Sequence, residues 1–202
     1  FAGVWNWWYT LLLPGMLAVF CYLAMNKDKK INYYHLKAAS VPVKKCLMGK
    51  MIYASLGLLS ANFLVFVGTW LLGSLVGWSV PVMAGFCAIL ILSATYLWEI
   101  PLYLFLSARF GLFAVAFVCM ALHIFTASLL AGSSCWWVLP ASIPARLMCP
   151  VLGILPNGLA VSAGSHLLRY DVLAPGILLS LLWFVLLAGL TLEWFRRKEM
   201  GK

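Results

Sequence analysis

Five acids and three histidines are all that this 202-residue chain offers for acid–base chemistry. The histidines are His35, His123 and His166, with no HExxH motif and no pair at helical spacing, so they outline no zinc-hydrolase site. No GxSxG elbow sets a serine on a strained turn; GSSC at Gly132 and GSH at Gly164 lack that pattern. No glycine-rich loop of the kind that cradles phosphates appears either. The six cysteines (Cys21, Cys46, Cys87, Cys119, Cys135, Cys149) show no CxxC pair and no zinc-ligand spacing. With no nucleophile beside a base, the sequence contains no catalytic residue set, no metal site and no cofactor motif. Glu99 is the one acid within or near a long apolar run, and an ionisable group there is a functional candidate by default. Three readings stand for it: lining a substrate path, pairing with Arg109 about 15 Å along a helix, or stabilising a helix end near the cytoplasmic interface before Pro101. The last is favoured, because ionisable side chains near helix ends reach the interface. His123 lies mid-run, where a hydrogen bond to a neighbouring helix is the favoured reading over a relay.

The elements that must hold these residues are apolar. Hydrophobic residues make up 65% of the chain and charged ones 9%, and mean hydropathy is +1.02. Soluble domains carry about 25% charged residues, so the composition implies an all-α integral membrane protein, a polytopic helix bundle. The net charge of +9 does not point to nucleic acid, which needs a basic face on a folded soluble domain. Here the bases sit between apolar runs, as positive-inside topology requires.

Phe1 to Tyr9 reads FAGVWNWWY, and its Trp5, Trp7, Trp8 and Tyr9 suit a membrane–water interface. A first span follows over 10–25, with Pro14 and Gly15 near its start positioned to kink or open the helix. Met51 to Trp98 is 48 residues without a charge. A span takes about 20 residues, so this run holds two, 51–72 and 82–106, broken at the Gly73–Pro81 turn. Ser107-Ala108-Arg109 makes a short cytoplasmic turn, 110–130 spans again, and 172–192 is the last span.

The Pro- and Gly-rich stretch 132–171 reads as short re-entrant helices on the outer side, which requires packing against protein. Trp136 and Trp137 lie in it, and both Cys135 and Cys149 fall on this side, with a disulfide between them left open. Five spans with the N-terminus outside put twelve basic residues inside and only Arg146 and Arg169 outside. A sixth span at Leu147–Leu168 worsens that bias, so five is preferred. An odd number of spans leads us to expect one further helix before Phe1, giving six with both ends inside. The whole chain, 1–202, is then one transmembrane domain.

Asn26 to Lys50 is the one long polar block, with seven of the fourteen bases. Residues 26–50 are expected to form a cytoplasmic loop in which His35 to Lys50 lies along the inner surface as an amphipathic segment. That segment either attracts anionic lipid, at about 1 kcal/mol per basic residue, or inserts into a groove of a soluble partner.

NWWYTLLLPGML at Asn6 to Leu17 and YHLKAASVPVKKCLMGKMIYASL at Tyr34 to Leu56 carry a resemblance. The chain resembles the permease subunits of type-two ABC exporters, most of all the group that gives bacteria self-immunity to lantibiotics and related peptide antibiotics. The shared features are an aromatic start leading into an L-P-G-M helix, then Ser40-Val41-Pro42-Val43-Lys44-Lys45 and Lys50 before the next helix. The outer Pro/Gly-rich segment before the last helix matches as well. The resemblance implies a multi-pass protein of the bacterial plasma membrane that expels amphipathic peptide antibiotics and confers resistance. It would have no ATPase chemistry of its own, with ATP and Mg on soluble ABC ATPase subunits and a second permease, identical or different, as partner. It implies an ATPase-coupling segment of His35, Lys37, Pro42, Lys44, Lys45 and Lys50. The candidate substrate path or interface comprises Trp5, Trp7, Trp8, Glu99, His123, Trp136 and Trp137. The alternatives are other type-two export (drug, lipid or polysaccharide), a non-ABC intramembrane enzyme, or a lipid-facing anchor. A secondary transporter would show more intramembrane charge for ion coupling.

Overall fold

A computed structural model describes residues 2–30, 42–77 and 81–200. Most of those residues are helical, with no strand among them beyond an isolated bridge between Ile154 and Ala160. In order, the helices are α1 (Ala2–Trp7), α2 (Leu13–Lys30), α3 (Val43–Val76), α4 (Val82–Tyr96), α5 (Glu99–Arg109), α6 (Leu112–Leu129), α7 (Ile143–Leu152) and α8 (Leu173–Met200). A π-helical turn, Trp8–Leu12, joins α1 to α2. Four stretches are long and apolar enough to cross a membrane: Gly3–Lys27, Val43–Val76, Leu112–Leu129 and Tyr170–Arg197. The bent pair α4 and α5 makes a fifth if counted as one span.

Two prolines explain the irregular points. Pro14 has no N–H, and its ring crowds the carbonyl four residues back. The helix accommodates it by widening: the Leu13 N–H reaches Trp8 O, an i to i+5 bond. The kink expected at Pro14 is therefore a π turn placed just before it. Pro101 acts in the same way on the carbonyl of Leu97. The helix breaks at Leu97–Trp98, and α5 departs from α4 by 46°.

Several boundaries differ from the sequence expectation: the first helix begins at Ala2, α3 runs on to Val76 and α8 to Met200. The first helix continues past Met25 to Lys30, since lysine is a good helix former. The next helix starts at Val43 rather than Met51, directly after Pro42, whose ψ of 136° is extended. Lys44, Lys45 and Lys50 thus lie on α3 itself, not in a loop or a separate surface helix. Ser107, Ala108 and Arg109 belong to α5, and the turn falls at Phe110–Gly111.

α2 is the hub. It packs against α5, α6 and α3, and half of the most apolar stretch of the first helix is buried, against 11% for α8. Leu178, Leu182 and Val185 on α8, and Phe113 and Phe117 on α6, are more than half exposed. Such apolar outer faces suit a surrounding as apolar as themselves. α3 and α4 pack closely at Gly85, where a Cβ would stand 2.3 Å from the Phe66 ring.

The stretch 147–168 is not one helix. α7 ends at Gly153, whose φ of +67° turns the chain away. Every residue from 140 to 150 is buried, so this proline-containing segment is covered by the rest of the fold, mainly α4 and α8. Arg146, expected to face outward, is buried too: its guanidinium donates to Leu167 O at 2.9 Å and His166 O at 3.5 Å.

Candidate functional site

The break that Pro101 forces puts Glu99 at the first position of α5, inside the bundle rather than at its edge. Its carboxyl is fully buried. Arg109, the alternative partner, is exposed at the other end of α5. The partner is His123 on α6, also buried, whose Nε2 meets Glu99 Oε1 in a short hydrogen bond. The helix-end reading of Glu99 is thereby replaced by a link between two helices, while His123 does bond to a neighbouring helix.

The other side of the imidazole is set by Tyr96. The two rings stack at 5.1 Å and 13°, and the Tyr96 hydroxyl lies 3.4 Å from Nδ1. That hydroxyl donates its proton elsewhere, to the carbonyl of Tyr9. The reason lies in the π turn. Tyr9 O finds no donor at Pro14, and the Leu13 N–H is bonded to Trp8 O. Tyr96 fills the vacancy. Having given its proton to Tyr9, the Tyr96 oxygen can only accept from His123, which places a proton on Nδ1. The Nε2–Oε1 bond pairs the two buried groups, which matters because an unpaired charge there is costly. Among the described residues Glu99 Oε2 has no hydrogen-bond partner. Tyr103 lies beside Glu99 and Cys119, and the Cys21 thiol on α2 reaches Ile100 O, the residue after Glu99, at 3.9 Å. Trp98 lies near-parallel to the imidazole at 6.5 Å.

A second polar link joins three helical segments. Trp8 Nε1 donates to Asn62 Oδ1 at 2.9 Å, and Asn62 Nδ2 donates to Ser93 Oγ at 3.1 Å. Asn62 was overlooked in the sequence, although it is the only side-chain amide between Met51 and Trp98.

The basic end of the bundle carries a cavity of about 480 Å³ between the start of α3 and the end of α8. Pro42, Lys44, Glu193 and Arg196 line it. Glu193 accepts from Arg196 at 2.8 Å and Arg197 at 2.9 Å. Lys44 and Lys45 are exposed, whereas Lys50 donates to Ala24 O on α2 and braces the two helices. His35 and Lys37 lie outside the described residues.

The five tryptophans expected at one interface divide. Trp5 is buried completely and so lies inside the bundle rather than on its outer face. Trp8 is tied to Asn62, Trp136 is half-buried, and Trp7 and Trp137 are exposed. Cys135 is exposed and Cys149 buried, and both are free thiols. Among the described residues no group of three metal-ligating side chains converges.

Comparison of the chain with protein-family models, with curated proteins and with solved structures finds no match.

Proposed function

We propose that the chain is the transmembrane permease subunit of an ABC exporter that expels lantibiotic-like or other amphipathic peptides from the bacterial plasma membrane. A separate soluble ATPase drives it, and a second permease completes the complex. The observation that carries this reading is the build of α3. It begins at Pro42-Val43-Lys44-Lys45 and runs without a break to Val76. At about 1.5 Å per residue, 34 residues extend roughly 50 Å, well beyond the ~30 Å of a hydrocarbon core. A partner that pushes on exposed Lys44 and Lys45 therefore moves a rigid rod braced to α2 by Lys50, and domain motion of that kind is how such switches work. The cavity beside Lys44 and Arg196 gives a partner loop a place to seat.

Co-purification from detergent with a candidate soluble ABC ATPase, sought among those encoded beside this protein, tests the reading. The ATPase should be retained by the native chain and lost when Lys44 and Lys45 are both changed to Glu. Retention by neither form ends the ABC assignment. The Glu99–His123 pair favours one rival, a proton-coupled secondary transporter. Uptake or efflux driven by a pH gradient alone, in vesicles without ATP, would select that rival.

A further inference from the structure

The cavity between the start of α3 and the end of α8 has a basic rim and an apolar floor. Lys44 is exposed and the Arg196 side chain is 61% exposed, so both bases are accessible at the mouth. Lys45 and Arg197, next to them in sequence, are exposed too. Against these four bases the lining holds one acid, Glu193, which is already paired with Arg196 and Arg197. A positive excess remains after that pairing. The rest of the lining is Pro42, Val43, Leu192 and Gly189. Gly189 is exposed, and a Cβ there would meet nothing within 4 Å, so no neighbouring element closes the cavity on that side.

The open side continues along α8. Leu182, Leu186, Gly189, Glu193 and Arg196 follow one another at i+4 and i+3 spacing and so share one face of that helix. Leu182 and Leu186 are exposed. From Leu182 to Arg196 the helix rises about 21 Å, and half of a bilayer roughly 40–45 Å thick with its headgroups is the same length.

These features select the occupant. A small soluble anion satisfies the rim and leaves the apolar face unused. A soluble partner's loop reaches the rim but cannot follow α8 into hydrocarbon. An anionic phospholipid matches both parts, and basic pockets between membrane helices on the cytoplasmic side suit anionic headgroups.

We propose that this cavity holds the headgroup of one anionic phospholipid, its phosphate between Lys44 and Arg196 and an acyl chain along the Gly189–Leu186–Leu182 face of α8. The site goes beyond the exporter reading and does not rest on it. A partner that meets the rim from the water side leaves the apolar floor to the lipid.

The test is native mass spectrometry of the full chain in detergent, titrated with dioleoyl phosphatidylglycerol or dioleoyl phosphatidylcholine. One phosphatidylglycerol should bind about tenfold more tightly than phosphatidylcholine. Lys44→Gln combined with Arg196→Gln should weaken it about thirtyfold. Lys27→Gln combined with Arg109→Gln removes the same charge from exposed bases that do not line the cavity. That control should change binding by less than about threefold. Gly189→Phe, which fills the open side at unchanged charge, should weaken phosphatidylglycerol while leaving the melting temperature in place. Inorganic phosphate in large excess should not displace the lipid. Equal binding of the two lipids, equal effects of the two double variants, or no effect of Gly189→Phe overturns the proposal. Displacement by inorganic phosphate makes this a site for free anions instead. If Gly189→Phe releases a co-purified ATPase or splits a dimer while lipid binding is unchanged, the cavity belongs to that partner and the lipid assignment fails.

Discussion

Glu99 and His123 hold each other across the interior of the bundle, each buried and each the other's hydrogen-bonding partner. The energetic meaning of such a pair lies in its incompleteness when halved. His123→Leu strands a buried carboxyl, at a cost of about 3–5 kcal/mol. Replacing both residues by Leu removes the need for pairing, so the double variant should regain most of the loss. Thermal unfolding in detergent, followed by the monodisperse fraction, reads this directly. A double variant no more stable than the single one would refute it.

Tyr96 and Pro14 should be coupled through the Tyr9 carbonyl. Tyr96→Phe leaves the Tyr9 carbonyl without a donor, at about 1–3 kcal/mol. Pro14→Ala restores an N–H to the helix and lets the π turn relax to an α turn. In that background Tyr96→Phe should cost less than half as much. Additive losses in the double-mutant cycle would show that the π turn is not what orphans Tyr9.

Gly85 marks a close approach of α3 and α4. A methyl group there meets the Phe66 ring, so Gly85→Ala should lose about 1–3 kcal/mol by overpacking. Phe66→Leu in the same chain should recover stability that it does not supply in the native background. The check is the melting temperature of the four forms, and equal effects of Phe66→Leu in both backgrounds would count against the contact.

Asn62→Leu cuts both links of the Trp8–Asn62–Ser93 chain. Interhelical hydrogen bonds in membrane bundles average about 0.6 kcal/mol each, so a loss near 1 kcal/mol is expected. Ser93→Ala should cost less, because it leaves the Trp8 bond intact. Tryptophan emission should shift only in the Asn62 variant. The same shift in Ser93→Ala would contradict the assignment of the Trp8 bond.

The sequence exposes most of the architecture because spans announce themselves by length and lack of charge. The uncharged run 51–98 is too long for one span, and its helices end at Val76 and restart at Val82, within or beside the Gly73–Pro81 stretch that the glycines and proline mark. Helix ends are less legible. Lys27 and Lys44 look like loop residues by charge, yet lysine continues a helix readily, so the helices overrun the apolar stretch. The polar interior is the least legible part. Glu99 and His123 are 24 positions apart, and only the bend at Leu97–Trp98 turns the carboxyl inward. Periodicity cannot distinguish Trp5 from Trp7 either, since the difference is which face of α1 meets the bundle. The Tyr9–Tyr96 bond follows from a missing N–H at Pro14, a signal present in the sequence but readable only once the turn type is known.

The distribution of thiols has a practical consequence. Cys21, Cys119 and Cys149 are buried, Cys46 and Cys87 half-buried, and Cys135 alone is exposed. Cys135 begins the stretch leading into the buried 140–150 segment, far in the chain from the basic end of α3. The native protein therefore carries its own sidedness reporter. A membrane-impermeant maleimide added to intact cells should label Cys135 first if that end of the bundle faces outward, with no engineered cysteine required.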